Sequence, residues 1–441
     1  MKKQYKSWGL YPPAKHKDTI KLNWINDVLN FDKIKISLLP YGLGRSYGDN
    51  CLNNGNMLID TSGISRFMEF NRKTGIIKCE AGVSFAKILK VIVPSGWFFP
   101  VTPGTKFITV GGAIANDVHG KNHHKAGTFG KHVLSFELLR SDGKKYICSA
   151  TENIELYKAT IGGMGLTGLI LWAEFKLKPI KNAYIDAETI KFKNLDEFFM
   201  LSEKSSKDYE YIVSWIDCSS RGNNFGRGLF FRGNNSNLDK SELPKPKTPK
   251  RLPFPFTAPV FLLNRVTIKI ANAVIYRSQL KKHSKMIKHY DPFFYPLDSI
   301  LNWNRMYGKR GFFQYQCVVP YKDGGAAIRK ILGAIAKSGM GSFLAVLKTM
   351  GDISSRGRLS FPREGVTLAL DFANHGDKTH KLFTDLDKIV KSVGGALYPC
   401  KDARMPPAMF RFSYPKLKEF KKYIDPKFSS SQWRRVNDKK E

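Results

Sequence analysis

The chain has 441 residues, longer than one hydrophobic core usually grows, so two domains are expected. Its 42% hydrophobic and 13% aromatic content excludes the disordered, collagen-like and coiled-coil classes. Lys and Arg number 72 against 37 Asp and Glu, a formal net charge of +35, which narrows the natural partner to nucleic acid, an anionic membrane surface or a phosphorylated substrate.

The N-terminal stretch MKKQYKSWGLYPPAKHKD is basic but leads into no apolar h-region, so no secretory signal is expected. No run reaches the length of a membrane-spanning helix. From Ile34 to Pro179 the text reads as short strands and tight turns, as in NMLIDTSG, GIIKCEAG and HVLSFELLRSDGKKYICSA. In SFAKILKVIVPSG, helical spacing places Phe85, Ile88, Leu89 and Ile92 on one side, with a stop at Pro94 to Gly96.

Two glycine-rich loops interrupt this region. The first, LLPYGLGRSYGDN, follows a strand-like lead-in with Gly42, Gly44 and Gly48 around Arg45, Ser46 and Tyr47. Glycines at this density let backbone N–H groups converge on an anion. The second, TPGTKFITVGGAIANDVHG, turns at Pro103 to Thr105 and passes through Gly111 and Gly112 into an Ala-rich run that starts a short helix. Two such loops separated by strands suit the two phosphates of one dinucleotide, with small residues admitting a flat ring system, and FAD is the ligand they suggest.

Other motifs point away from rival chemistries. GGMGLTG carries a G-x-G-x-x-G string at Gly163, Gly165 and Gly168, but helical NIELYKAT precedes it and strand-like LILWAEFKLKP follows. That order is the reverse of the dinucleotide crossover, so no Rossmann NAD site is expected. His119, His123 and His124 with Asp117 match no standard ligand set; no metal is expected, and His119 reads as a positioning or substrate-contacting residue. The six cysteines lie far apart with no C-x-x-C, as small hydrophobes in a reducing compartment do. No C2H2 finger, RNP-like aromatic strand or KH-type loop is present, so no nucleic-acid partner is expected.

After EFKLKPI the character changes. TIKFKNLDEFFMLSEKSSKDYEYIVSWIDCSS reads strand, helix, strand, and GFFQYQCVVPYKDGGAAIRKILGAIAKSG and VTLALDFANHGDKTHKLFTDLDKIVKSVGG repeat the alternation. This predicts an α+β chain whose second domain is an antiparallel sheet covered by helices, from Lys181 to Gly395. Within it the segment from Asn234 to Asn264 is Pro/Lys-rich and then aromatic. It reads either as a solvated loop running into a core segment or as a mobile flap that meets a membrane interface with Phe254, Phe256 and Phe261.

PYGLGRSYGDN, TPGT...TVGGAIANDVHGKNHHKAGTFG, GGMGLTG and GGALYPCKDAR together resemble the FAD-dependent decaprenylphosphoryl-β-D-ribose 2'-oxidases, within the PCMH-type flavoproteins of the vanillyl-alcohol-oxidase superfamily. The likeness continues in order through YIVSWIDCSS, NWNRMYGKRGFFQYQCVVP, GSFLAVLKTMG and LSFPREGVTLALDF. It implies an FAD-binding domain over residues 1–180, a substrate-binding domain over 181–395 and a C-terminal segment, 396–441, that returns to the FAD domain. Carried over by motif, the FAD would be lined by Tyr41, Gly42, Leu43, Gly44, Arg45, Ser46, Tyr47, Gly48 and Asn50, then by Gly104, Thr109, Val110, Gly111 and Gly112. Asn116, Asp117, Val118, His119, Ile170 and Tyr398 would complete that lining. The substrate pocket would take Tyr47, His119, Trp215, Gln314, Gln316, Lys348, Thr367 and Lys401. Arg45 stands where many members of the wider superfamily carry a flavin-linked His, so FAD is expected to be bound non-covalently. Ala369 and Thr367 stand where the best-known relatives carry Cys and Asn, a departure at the sugar.

The resemblance implies oxidation of the 2'-hydroxyl of a polyprenyl-phosphoryl pentose to the 2'-keto sugar, the first half of an epimerisation to the arabinose form used in cell-envelope glycan synthesis. A separate NAD(P)H-dependent reductase would complete it. Lys401 is the candidate proton acceptor, or a charged hydrogen-bond donor to the substrate, with Tyr47 and His119 as alternatives for proton handling. A substrate with a phosphodiester head and a bilayer-embedded tail also accounts for the positive charge and the Lys/Pro-then-Phe segment, which implies a cytoplasmic protein held peripherally at an anionic inner membrane. The alternatives are a soluble sugar, alditol or aldonolactone oxidase of the same superfamily and, in another class, a non-catalytic binding protein on the same scaffold.

Overall fold

The computed structural model describes residues 4–245 and 251–438. Strands β1 (Asp18–Lys21), β2 (Leu38–Tyr41) and β3 (Met57–Asp60) form a parallel sheet in the order β1–β3–β2. Central β3 is buried at every position, which its sequence MLID satisfies by turning its one polar residue, Asp60, into the cap of the next turn. Strands β4 (Phe67–Asn71) and β5 (Ile76–Glu80) follow as a hairpin. Helix α1 (Phe85–Ile92) is capped by Ser84 and buries the predicted stripe Phe85, Ile88, Leu89 and Ile92. A single 3-10 turn, Val93–Ser95, follows and is closed by Gly96 at φ +80, a conformation glycine adopts without strain.

Next come β6 (Trp97–Phe98), α2 (Val110–Ala115), α3 (His123–Ala126), β7 (Val133–Leu139), β8 (Lys145–Ser149), α4 (Ile154–Thr160), β9 (Leu169–Lys176) and β10 (Lys178–Pro179). The sheet β4–β5–β9–β7–β8 is antiparallel throughout, and β10 pairs with β6. Its core is aromatic: Phe85 stacks on Phe99 at 3.9 Å between ring centres, and Phe129 and Phe175 close the cluster.

The remaining chain contributes β11 (Tyr184–Phe192), α5 (Leu195–Asp208), β12 (Tyr211–Ile216), β13 (Gly228–Asn235), β14 (Leu252–Pro253), α6 (Arg265–Ser278), β15 (His283–His289), α7 (Tyr290–Phe294) and β16 (Ile300–Leu301). Then follow β17 (Phe312–Val319), α8 (Tyr321–Ser338), β18 (Ala345–Met350), β19 (Gly365–Ala373), α9 (Asp377–Ser392) and β20 (Ala396–Leu397). Eight of these strands form one antiparallel sheet, β15–β11–β13–β12–β18–β19–β17–β20, so the fold is α+β as the alternation predicts. Helices α8 and α9 press Ile328, Ile331, Leu332, Ile335, Leu382, Phe383, Leu386 and Val390 into a core shared with Leu347, Leu368, Leu370 and Phe372. Each such side chain contributes about 1.5–3 kcal/mol on burial, which anchors one face of the sheet and leaves the alternate residues to the other.

The C-terminal helices α10 (Pro407–Ser413), α11 (Leu417–Lys421) and α12 (Ser431–Val436) run back to the N-terminal sheet. Leu38 N donates to Lys427 O at 2.7 Å and Ser429 N to Leu38 O at 2.9 Å. Arg435 spans Asp49, at 2.7 and 2.9 Å, and Asp402, at 3.0 Å, which binds the first glycine loop to the tail.

Of the segment from Asn234 to Asn264, residues 246–250 lie outside the described residues. On either side it is partly ordered by neighbours. β14 pairs in parallel with β16, and Ala258 N donates to Arg305 O at 3.0 Å. The helix that follows it, α6, is not among the elements predicted from the sequence. Asn264 starts it with a capping box, accepting from Val266 N and Thr267 N.

Candidate active site

β2 delivers the chain into the first glycine loop. Gly44 takes φ +61, and a Cβ there would fall 2.1 Å from the Tyr41 hydroxyl, so only glycine fits. A Cβ on Gly42 would fall 2.6 Å from Thr109 Oγ1, and Arg45 Nε donates to Phe107 O at 3.2 Å, so the two glycine-rich loops lie against each other. In the second loop Thr109 caps α2 by accepting from Gly112 N at 3.1 Å, while the amides of Val110 and Gly111 are taken by Val83 O and Ala81 O. By contrast, the amides of Leu43, Gly44, Arg45, Ser46, Gly104 and Thr105 donate to nothing among the described residues. Adjoining loops that leave this many backbone donors free can cradle an anion.

Further bonds tie this cradle to distant parts of the chain. Ser46 Oγ donates to Asn50 Oδ1 at 3.3 Å, Asn50 Nδ2 to Asn116 Oδ1 at 3.1 Å, and the Tyr398 hydroxyl to Asn116 O at 2.9 Å. Tyr47 N donates to Cys400 O at 2.9 Å, which brings Lys401 onto the Tyr47 ring with Nζ 4.0 Å from its centre.

The helix-free face of the eight-stranded sheet forms the opposite wall. Register aligns Trp215, Val346, Ala369 and Gln316 in one cross-strand row, with Lys348, Thr367 and Val318 in a row on one side and Asp371 and Gln314 on the other. Gln316 Nε2 donates to His119 Nε2 at 3.2 Å and to Thr367 Oγ1 at 3.3 Å, and Thr367 Oγ1 donates to Cys317 O at 2.8 Å. With Nε2 accepting, the ring proton of neutral His119 sits on Nδ1, which is buried and has no partner among the described residues. The ring packs beside Tyr398 and Phe361, at 5.4 and 5.9 Å, which are themselves stacked 4.6 Å apart. Lys348 Nζ donates to Gly120 O at 2.7 Å, Trp215 Nε1 to Phe343 O at 2.8 Å, and Gln314 Nε2 to Asp371 Oδ1 at 2.5 Å.

Burial dominates the electrostatics. It holds Lys401 below the usual lysine range and brings Lys348 down to about 7, helped by repulsion from Lys121 and Lys401. Lys121, just behind, is also lowered to about 7 by burial. His119 is pushed well below its ordinary value by burial and then by Lys348, His123 and Lys401, so it is neutral. Burial raises Tyr47 well above 10 and Asp371 to about 7, and the Asp371 Oδ2 has no partner among the described residues. The wall therefore gathers lysines near their titration points with few carboxylates to pair them, an environment that favours an anionic ligand and proton exchange near neutral pH.

A family model described as FAD binding domain matches residues 26–149. The chain is 38% identical to decaprenylphosphoryl-β-D-ribose oxidase of Mycolicibacterium smegmatis, over 90% of this chain and 89% of that one. It belongs to the decaprenylphosphoryl-β-D-ribose oxidase family. More distant likeness extends to a Streptomyces coelicolor protein from the mprA 5' region, 28% identical over 80% of this chain and all of that one. The human Delta(24)-sterol reductase is 30% identical over only 26% of this chain and 22% of its own. The protein is an FAD-dependent oxidoreductase of the PCMH type.

The chain's own residues fit FAD. The free amides of residues 43–46, 104 and 105 offer donors to a diphosphate, and a Cβ on Gly104 would meet nothing within 4 Å. A Cβ on Gly112 would meet only Thr109 Oγ1, at 3.0 Å, so backbone can approach a flat ligand there. Arg45 is packed over the Trp8 ring, 4.1 Å from its centre, and presents no nucleophile for a covalent link.

Of the residues carried over by motif, Tyr41 to Gly48, Asn50, Gly104, Thr109 to Gly112, Asn116, His119 and Tyr398 lie on the two loops or in the bonds just described, with Leu43 and Gly104 exposed, whereas Val118 sits in the hydrophobic core. Asp117 turns its carboxylate the other way. It takes φ +39 and accepts from Gly130 N at 2.9 Å, Ser360 Oγ at 2.5 Å and Ser355 Oγ, a buried knot that fixes the backbone either side of His119. Ile170 is 7% exposed in β9, among the core residues beneath α2. Trp215, Gln314, Gln316, Lys348, Thr367 and Lys401 come together on and beside the sheet face. Sequence reasoning missed Asp371 and Lys121. Asp371 was within reach of the pattern, since Thr367, Ala369 and Asp371 recur at period two in VTLALDF. Lys121 lies within the DVHGKNHH stretch, but that motif assigned it no role; its ammonium donates to Phe293 O across the fold.

Proposed function

We propose that this protein oxidises the 2'-hydroxyl of a polyprenyl-phosphoryl pentose such as decaprenylphosphoryl-β-D-ribose to the 2'-keto sugar. The observation that carries the reading is the convergence of Lys401, His119, Gln316 and Lys348 opposite the anion cradle. Bound FAD supplies the hydride acceptor. Lys401 takes the hydroxyl proton: burial lowers its pKa, whereas Tyr47 is raised well above 10 and His119 stays neutral with its proton on the unpartnered Nδ1. His119 Nδ1–H is the donor to the sugar oxygen, oriented by Gln316. Lys348 and Lys121 supply positive charge for the phosphodiester. Ala369 at the centre of the floor leaves more room than the Cys of known relatives, and sets the fit of the pentose.

FAD is held non-covalently, and the product passes to a separate NAD(P)H-dependent reductase that completes an epimerisation to the arabinose form. The substrate tail and the net charge of +35 favour peripheral attachment to the cytoplasmic face of an anionic inner membrane. None of the described helices is long and apolar enough to cross a bilayer. The test is the visible spectrum before and after acid precipitation, then anaerobic addition of a polyprenyl-phosphoryl ribose. Flavin released to the supernatant and bleached by that lipid is the expected result. Bleaching by free sugars alone would instead identify a soluble carbohydrate oxidase, and flavin in the pellet would refute non-covalent binding.

A further inference from the structure

Half of the exposed large apolar side chains of the described residues lie between Leu252 and Leu301. Helix α6 is their centre: its buried face is only Ile268 and Asn272, and a second apolar face is left exposed. It buries Asn272, which donates to Asp217 Oδ1 at 3.0 Å and Ser342 O at 3.2 Å, and leaves Val266, Ile270 and Val274 at 65%, 59% and 62% exposure. The i, i+4, i+8 spacing makes these three one stripe, and Phe261, 72% exposed, continues it beyond the N-terminus.

The charge around the stripe has one sign. From Leu243 to Tyr290 the sequence contains no Asp or Glu, while eight Lys and Arg lie between Arg251 and Lys288. The next two carboxylates point inward: Asp291 pairs with Lys106, and Asp298 accepts from Thr105 Oγ1 at 2.7 Å. Along one flank of α6 lies a cavity of about 290 Å³ whose lining includes Arg221, Arg227, Arg265 and Lys269. Its one lining carboxylate, Asp217, is already bridged to Arg227 at 3.0 Å.

We propose that the α6 face docks on a bilayer of anionic phospholipid, with the Val266–Ile270–Val274 stripe at the acyl boundary and a headgroup phosphate in the adjoining cationic cavity. An apolar stripe flanked by cations, with the adjoining carboxylate Asp217 already bridged to Arg227, matches such a surface; a protein partner would need its own apolar strip set in a largely acidic rim. The position suits a lipid-linked substrate, because Val260, just ahead of α6, packs in the same cluster as Tyr47 and Trp303. The inference deepens the membrane attachment in the proposed function and, for the lipid-linked substrate, rests on that reading.

The experiment is co-sedimentation of the FAD-loaded protein with phosphatidylcholine vesicles and with vesicles of equal parts phosphatidylcholine and phosphatidylglycerol. The parent should bind the anionic vesicles strongly and the neutral ones weakly. Arg265→Gln with Lys269→Gln should weaken anionic binding about thirtyfold, and Ile270→Ser with Val274→Ser about tenfold. Unchanged flavin absorbance and melting curves establish that the variants are folded. Docking by this face is overturned if the parent ignores anionic vesicles, binds both kinds equally, or loses nothing in either variant. Flavin bleaching by a water-soluble, short-chain prenylphosphoryl ribose should be equal in all three proteins. If the parent fails that assay yet binds vesicles through α6, the substrate reading falls and the docking surface stands.

Discussion

The two walls of the active site are built from different materials. The cofactor wall is backbone: two glycine-rich loops that lie against each other and leave amides free among the described residues, each loop contiguous in sequence. The substrate wall is side chain: residues from β12, β17, β18 and β19, which lie far apart in sequence and meet only through sheet register. Backbone donors cannot be exchanged by mutation, so the cofactor wall tolerates almost no change of shape. Side chains on a sheet face can be exchanged one at a time, so the substrate wall can be retuned without disturbing the sheet that carries it.

The sharpest test of this contrast acts on chemistry without touching shape. Lys401→Met should slow flavin reduction by about 10²–10⁴-fold with FAD still bound, measured by anaerobic stopped flow. In the parent, reduction should rise with pH as the lowered lysine deprotonates, and the variant should lose that limb. On the cofactor wall the smallest possible side chain should do damage of another kind. A Cβ on Gly48 would lie 1.8 Å from Asp402 O and 2.8 Å from Ala403 Cα, both backbone, so Gly48→Ala should cost about 3 kcal/mol and release FAD, read by melting curve and retained flavin.

A smaller effect separates burial from catalysis on the substrate wall. Asp371 has a folded pKa of about 7 against an ordinary value of 3.8, so between those values the native state holds a proton that the unfolded chain has lost. Stability should therefore fall as pH rises from about 4 through 7, and Asp371→Asn should flatten that slope and gain about 2 kcal/mol at pH 8 in denaturant titrations. A pH-independent difference between the two proteins would refute it. The mildest change, Gln316→Leu, should leave FAD affinity intact and cost about tenfold in reduction rate by freeing the His119 tautomer, which imidazole NMR would report directly.

Much of this was legible in the chain because it is local. The helix Phe85–Ile92, the strand character of VTLALDF and the turns at Gly44 and Gly96 follow from periodicity and φ preferences of neighbouring residues. Helix α6 escaped because its apolar residues are split between two faces: Ile268 is buried beside Asn272, while Val266, Ile270 and Val274 stay exposed. Asp117 reads as a cofactor residue from its neighbours, yet its carboxylate is taken by serines from 355 and 360, more than two hundred positions away.

The sequence by itself determined the glycine loops, the alternation of the strands, the apolar stripe and stop of the helix Phe85–Ile92 and the cationic balance, since each depends on residue type and spacing alone. Only the tertiary structure decided which of several lysines and histidines has a shifted pKa. Such shifts arise from desolvation and from charges brought close by packing, and Lys401, Lys348, His119 and Asp371 become neighbours only when the tail, the sheet and the second loop have closed on one another.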